Sequence, residues 1–211
     1  MSDPAREKQV VVGITGASGA RYGVRLIECL VECGAHVHLV ITPHGKRLLL
    51  DELGISDASA GALLGRDTER VTTYAYNNVG ARLASGGFQT DGMIICPCSS
   101  NTLASVAAGL AGNLLERAAA VTLKEMRRLV VVPREMPISR IDLLNALQLS
   151  EAGAVICPAS PAFYMLPETI GDLVDFVVGK LLDLLNIPHA LPIRWDGTGG
   201  VGRSERRGGC C

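Results

Sequence analysis

The sequence lacks an excess of either charge, a long apolar run and an apolar start. Lys and Arg number 20 against 21 Asp and Glu, so the formal net charge of −1 supplies no general field for nucleic acid or an anionic membrane, and any phosphate has to be held locally. No stretch reaches the roughly 18 consecutive apolar residues of a membrane helix, and Met1 to Gln9 is charged where a secretory signal is apolar. These absences predict a cytoplasmic protein without membrane or nucleic-acid partners. Histidine is scarce, four residues with none beside cysteines at zinc-ligand spacing, so no metal site is predicted. The seven cysteines are odd in number and fall mostly in apolar segments, as buried thiols do. Cys29 with Cys33, and Cys96 with Cys98, are accordingly expected to be structural thiols and no disulfide framework is expected.

Against those absences stand 211 residues, 48% of them hydrophobic, enough for one α/β domain with a full core. That domain is expected over residues 10–195, between a flexible start (1–9) and a flexible Gly- and Arg-rich tail (196–211). Val10 to Thr15 and His36 to Thr42 read as buried strands, each followed by a helical pattern, Ala20 to Cys33 and Pro43 to Leu53. Gly54 to Arg70 reads as a surface excursion. Three further apolar runs, Met93 to Cys96, Leu129 to Val132 and Ala154 to Cys157, each meet a proline, which is expected to end the strand because it has no ladder N–H. Helical patterns follow, over Leu103 to Ala111, Leu114 to Met126, Ile141 to Ala152 and Thr169 to Leu185. This alternation predicts a Rossmann-like (flavodoxin-like) three-layer sandwich with a mostly parallel sheet. The loops after its strands gather on one edge, where ligands bind.

Those loops hold the candidate chemistry. Gly13, Gly16 and Gly19 form a glycine-rich turn before a helix, either an anion cradle with Ser18 as a hydroxyl donor or only a tight turn. It is not a dinucleotide fingerprint: the spacing differs, and Thr42-Pro43-His44 stands where an acidic residue would end the second strand. Ser99-Ser100-Asn101-Thr102 supplies four consecutive polar side chains, more than helix capping needs. Arg134-Glu135 sets a guanidinium fork beside a potential proton donor, or is a local ion pair. Arg117 and Lys124 lie two helical turns apart, on a phosphate-binding face or a solvated one. Phe163-Tyr164 offers two of the chain's few aromatics to a planar or allylic ligand, or covers the core.

Taken in order, Thr15 to Ala20, Cys96 to Ser99, Glu116 to Ala119, Val132 to Glu135 and Pro161 to Tyr164 resemble the motifs of the UbiX-type flavin prenyltransferases, from about Val10 to Trp195. The resemblance implies metal-independent transfer of a dimethylallyl group from dimethylallyl phosphate to N5 and C6 of reduced FMN. It implies FMN contacts from Gly16, Ala17, Ser18, Thr42, Ser99, Ser100, Asn101, Thr102 and Arg134. The prenyl phosphate would fall to Arg117, Lys124, Tyr164 and Lys180, with Trp195 among the aromatic wall. Glu135 would assist phosphate departure, with Ser18 near the same phosphate and Glu52 handling a proton in ring closure. Lys180 stands where many members carry Arg, which loses a bidentate grip. A homododecamer, with product passing to a UbiD-type decarboxylase, is also implied. Two rivals remain: a phosphopantothenoylcysteine decarboxylase-like flavoprotein and a non-catalytic FMN carrier.

Overall fold

Six short runs become strands: β1 (Gln9–Ile14), β2 (His36–Ile41), β3 (Val71–Tyr74), β4 (Gly92–Cys98), β5 (Leu129–Pro133) and β6 (Val155–Ile156). In the computed structural model, which describes residues 6–192, they form one sheet in the order β3-β2-β1-β4-β5-β6 with every pairing parallel. Trp195 lies outside the described residues. Side chains alternate along a strand, so Val10, Val12, Ile14, Leu39 and Val130 enter a core on one face, while Val11, Met93, Ile95 and Val131 enter a second core on the other. Helices α1 (Ala20–Glu32), α2 (Pro43–Leu53), α3 (Ala60–Leu64) and α7 (Ile170–Leu184) cover the first face. Helices α4 (Ser100–Ala107), α5 (Leu114–Lys124) and α6 (Arg140–Glu151) cover the second. Burial on both sides is why the central strands are apolar throughout. Helix α1 lies close on β4 because Gly23 has no side chain: a Cβ there would stand 2.6 Å from the Cys96 carbonyl oxygen.

Four expectations change. Pro97 does not end its strand: β4 continues through it to Cys98, with a register shift between Ile95 and Cys98. At such an irregularity no ladder N–H is required of the proline, and its carbonyl accepts from Thr15 N at 3.2 Å and Thr15 Oγ1 at 2.9 Å. Strand β3 escapes the sequence pattern because its two threonines blur the apolar run, and parallel pairing with β2 fixes it instead. The surface excursion contains α3. Cys29 and Cys33, expected as thiols, are each disulfide-bonded.

Toward the opposite edge from the strand ends, His38 sits almost fully buried in β2. Gln9 Oε1 takes the proton of Nε2 at 2.8 Å, leaving Nδ1 to accept from the Tyr74 hydroxyl at 3.0 Å. His36 and Phe88 pack against the ring, and the Arg82 cation acts on it. Burial first, then His36 and Arg82, push the His38 pKa down to about 4. The unfolded chain, with histidine near 6.5, binds a proton in this window that the folded chain refuses. The contribution to stability is therefore complete above pH 6.5 and is lost as pH falls toward 4. Denaturant titrations at pH 7.5 and 5 should differ by about 2 kcal/mol from this residue, and His38→Gln should flatten that difference.

Candidate functional site

The order of strands reverses between β1 and β4, and at this switch point the two strand ends are tied together. Thr15 Oγ1 donates to the Pro97 carbonyl and accepts from Ser99 N at 2.8 Å. The chain then passes Gly16, where a Cβ would stand 2.5 Å from His44 Cβ, so only glycine lets this turn lie against the start of α2. Three helices begin here. Thr42 caps α2 by accepting from Gly45 N at 3.0 Å, Ser99 caps α4 by accepting from Thr102 N at 3.3 Å, and Asn113 caps α5 by accepting from Glu116 N at 3.0 Å. Their first turns, with Gly16 and Tyr76, line a cavity of about 530 Å³. The positive ends of three helix dipoles thus converge on one space, and a Thr42 hydroxyl that accepts a capping bond keeps its own O–H to donate. Among the described residues no Lys or Arg lines the cavity; His44 is its imidazole and Glu116 its carboxylate. Burial first and the Glu116 charge second raise the Tyr76 phenol, while a hydrogen bond with Asn113 lowers it.

A second polar cluster lies at the neighbouring strand ends. Arg134 N donates to the Cys98 carbonyl at 3.3 Å, and its Nε donates to the Ser18 carbonyl at 3.1 Å. Ser100 Oγ donates to Glu135 Oε2 at 3.1 Å, and Met136 N donates to Oε1 at 3.3 Å. Arg134 therefore clamps the β1 loop rather than pairing with its neighbour. The β1 loop itself corrects the reading of its glycines. Glu52 accepts from Gly19 N at 3.0 Å and Ala20 N at 2.8 Å, so the start of α1 already holds a carboxylate from this chain. Gly13 belongs to β1 and serves packing, since a Cβ would stand 2.8 Å from Leu115 Cδ1. Beneath both clusters, Cys96 and Cys98 are buried, and burial pushes both thiols up, which keeps them unreactive.

A family model described as Flavoprotein matches residues 1–182. Flavin prenyltransferase UbiX of Halalkalibacterium halodurans is 50% identical over 188 residues, 87% of this chain and 91% of that protein. Its counterpart in Pseudomonas aeruginosa is 43% identical over 203 residues, 92% and 96% of the two chains. This chain belongs to the UbiX flavin prenyltransferase family. AnUbiX in complex with FMN and dimethylallyl pyrophosphate matches 91% of this chain and 99% of its own at 38% identity and a TM-score of 0.82. The dodecameric FMN-dependent UbiX-like decarboxylase from Escherichia coli O157:H7 has 42% identity and a TM-score of 0.82, over 90% and 100%. A PPC decarboxylase variant, 23% identical over 74% of this chain and 84% of its own with a TM-score of 0.56, shares the fold alone.

Of the residues singled out by UbiX resemblance, one chain brings together only part. Gly16, Thr42, Ser99, Asn101 and Thr102 line the cavity. Ser18, Ser100, Arg134 and Glu135 form the second cluster, with Glu52 joined to it through the β1 loop and Ala17 buried within that loop. Glu135 is exposed in the single chain. Arg117 Nε is bound to the Ala84 carbonyl at 3.1 Å. Lys124 pairs with Glu125 beside Gly86, near the strand starts. Helix α5 begins at the cavity and its 11 residues run back along the strands for about 16 Å, so within one chain Lys124 ends at the wrong edge. Tyr164 packs edge-on against Phe176 with ring centroids 6.1 Å apart, and Lys180 is exposed on α7 near Cys157. His44, Tyr76, Asn113 and Glu116 are cavity residues that motif reading passes over as site residues. For the last two a signal exists: Asn113 followed by Glu at the third helical position is a capping pattern, which marks a helix start.

Proposed function

We propose that this chain transfers a dimethylallyl group from dimethylallyl phosphate to N5 and C6 of reduced FMN, giving prenylated FMN for a UbiD-type decarboxylase. The observation that carries this reading is the juxtaposition, at one sheet edge, of a cavity made from three helix starts and the hydrogen-bonded Ser100–Glu135 pair. The cavity fits the flavin: its volume lies in the range of small-molecule sites, and hydroxyl and amide donors suit a phosphate and a polyol. When bound, reduced FMN supplies the nucleophilic N5 and C6. The chain's own residues hold and neutralise. Thr42, Ser99 and Thr102 take the flavin phosphate, with Gly16 and Ala17 allowing close approach of the backbone and Asn101 closing the rim. Arg134 keeps Ser18 beside the reacting region. Glu135, relayed through Ser100, hands a proton to the departing phosphate oxygen, which together with nearby cations lowers the cost of its charge. Glu52, fixed by two backbone amides, takes up a proton as the ring closes.

Arg117, Lys124, Tyr164 and Lys180 are read as the grip on the prenyl phosphate, and since one chain does not unite them, the first two serve a neighbouring copy. An apolar surface supports that assembly: Met136, Ile138, Ile141 and Leu144 are exposed and directly follow Glu135 in the chain. We read this surface as the contact between copies in a dodecamer. A non-catalytic carrier has no use for Arg117, Lys124, Glu135 and Tyr164. Incubating the protein with reduced FMN and dimethylallyl phosphate and then weighing the flavin tests the reading. The expected result is a mass gain of one C5 unit; an unchanged flavin, under conditions where FMN is bound, counts against transferase and for carrier.

A further inference from the structure

The inference concerns Glu116 and rests on the flavin reading of the cavity. Glu116 is only 9% exposed, at the third residue of α5. One carboxylate oxygen, Oε2, accepts from Gly112 N at 2.9 Å, which completes the helix start. Its partner Oε1 has no hydrogen bond among the described residues and is not sealed off, and Glu116 is one of the residues that line the cavity. Capping accounts for one oxygen and leaves the other without a structural task.

That second oxygen gives the cavity a direction. Around the same cavity, α2 on the other face of the sheet presents Thr42 and His44, and α4 beside α5 presents Ser99 and Thr102; all are neutral hydroxyls or, for His44, an imidazole. A phosphate lying against Glu116 would place like charges together in a partly dry space, whereas a hydroxyl there makes a charge-assisted bond to the carboxylate. We propose that Glu116 Oε1 accepts a hydrogen bond from a ribityl hydroxyl of FMN and so fixes which way round the flavin lies, its phosphate at the Thr42, Ser99 and Thr102 end. Glu116 is thus a positioning residue for the prenyl acceptor.

The test is a fluorescence titration with FMN, together with competition by inorganic phosphate, which reports on the phosphate end alone. In Glu116→Leu the Kd for FMN should rise about tenfold, the effect of losing a charge-assisted bond, while the competition constant of inorganic phosphate stays unchanged. Glu116→Gln keeps an acceptor for Gly112 N–H and decides the matter if the leucine variant does not fold; there the FMN constant should rise about threefold with phosphate again unaffected. An unchanged FMN constant in both variants would leave Glu116 a cap and nothing else. A parallel shift for inorganic phosphate would mean that Glu116 acts on the phosphate, and the proposed orientation is then wrong. Wild-type protein that binds no FMN would overturn the flavin reading itself, whatever Glu116 does.

Discussion

Glu135→Gln should leave FMN bound and slow prenyl transfer by about 100-fold or more. Glutamine can keep both contacts that hold the side chain at the strand end, its amide oxygen accepting from Met136 N and its amide nitrogen donating to a turned Ser100 hydroxyl, so the local structure has no reason to change. What disappears is the exchangeable carboxyl proton. Cleavage of the C–O bond at an allylic carbon puts one further negative charge on the departing phosphate, and without a proton that charge rests on cations alone. The FMN constant, measured by fluorescence, should stay within about twofold of wild type because Glu135 does not line the cavity. A variant with wild-type single-turnover rate would remove Glu135 from the chemistry.

The second large effect is expected from Ile141→Glu combined with Leu144→Glu on α6. These side chains are 70% and 53% exposed in the single chain, and Leu149 is the one buried residue of that helix. Two charges there should cost the isolated fold little, since each can remain in water. Between two copies they would be buried without partners, at several kcal/mol apiece. Light scattering should then show small species in place of a dodecamer, with the far-ultraviolet circular dichroism unchanged. Activity should fall to about 1% or less if Arg117 and Lys124 act across the contact, because that contact is what would bring them to the site. Full activity in a dispersed protein, or an undisturbed dodecamer, would contradict the shared-site reading.

Much of the site was legible because its residues sit just past apolar strands. Thr42, the run Ser99 to Thr102, and Arg134-Glu135 each follow a strand whose hydrophobic pattern is plain, and parallel topology sends all such ends to one edge. Pro97 misled because a ladder rule was applied to a residue that the β4 irregularity exempts. The glycine loop misled for another reason. Its amides suit an anion, yet the anion found there is Glu52, 33 positions from Gly19, a pairing that no local pattern records. Tyr76 was missed together with β3, whose place depends on β2 rather than on its own composition.

Local order along the chain is enough to give the class of fold and the kind of chemistry. Alternation within strands, helical periodicity and the identity of side chains at strand ends are local properties, carried by neighbouring residues wherever the segment lies. Which of those groups meet is a matter of packing: three helix starts share one cavity, Glu52 closes the start of α1, and Lys124 ends about 16 Å along α5 from the cavity edge. Such meetings depend on how helices of fixed rise lie against a twisted sheet, and distances between residues far apart in the chain emerge only when both faces have packed.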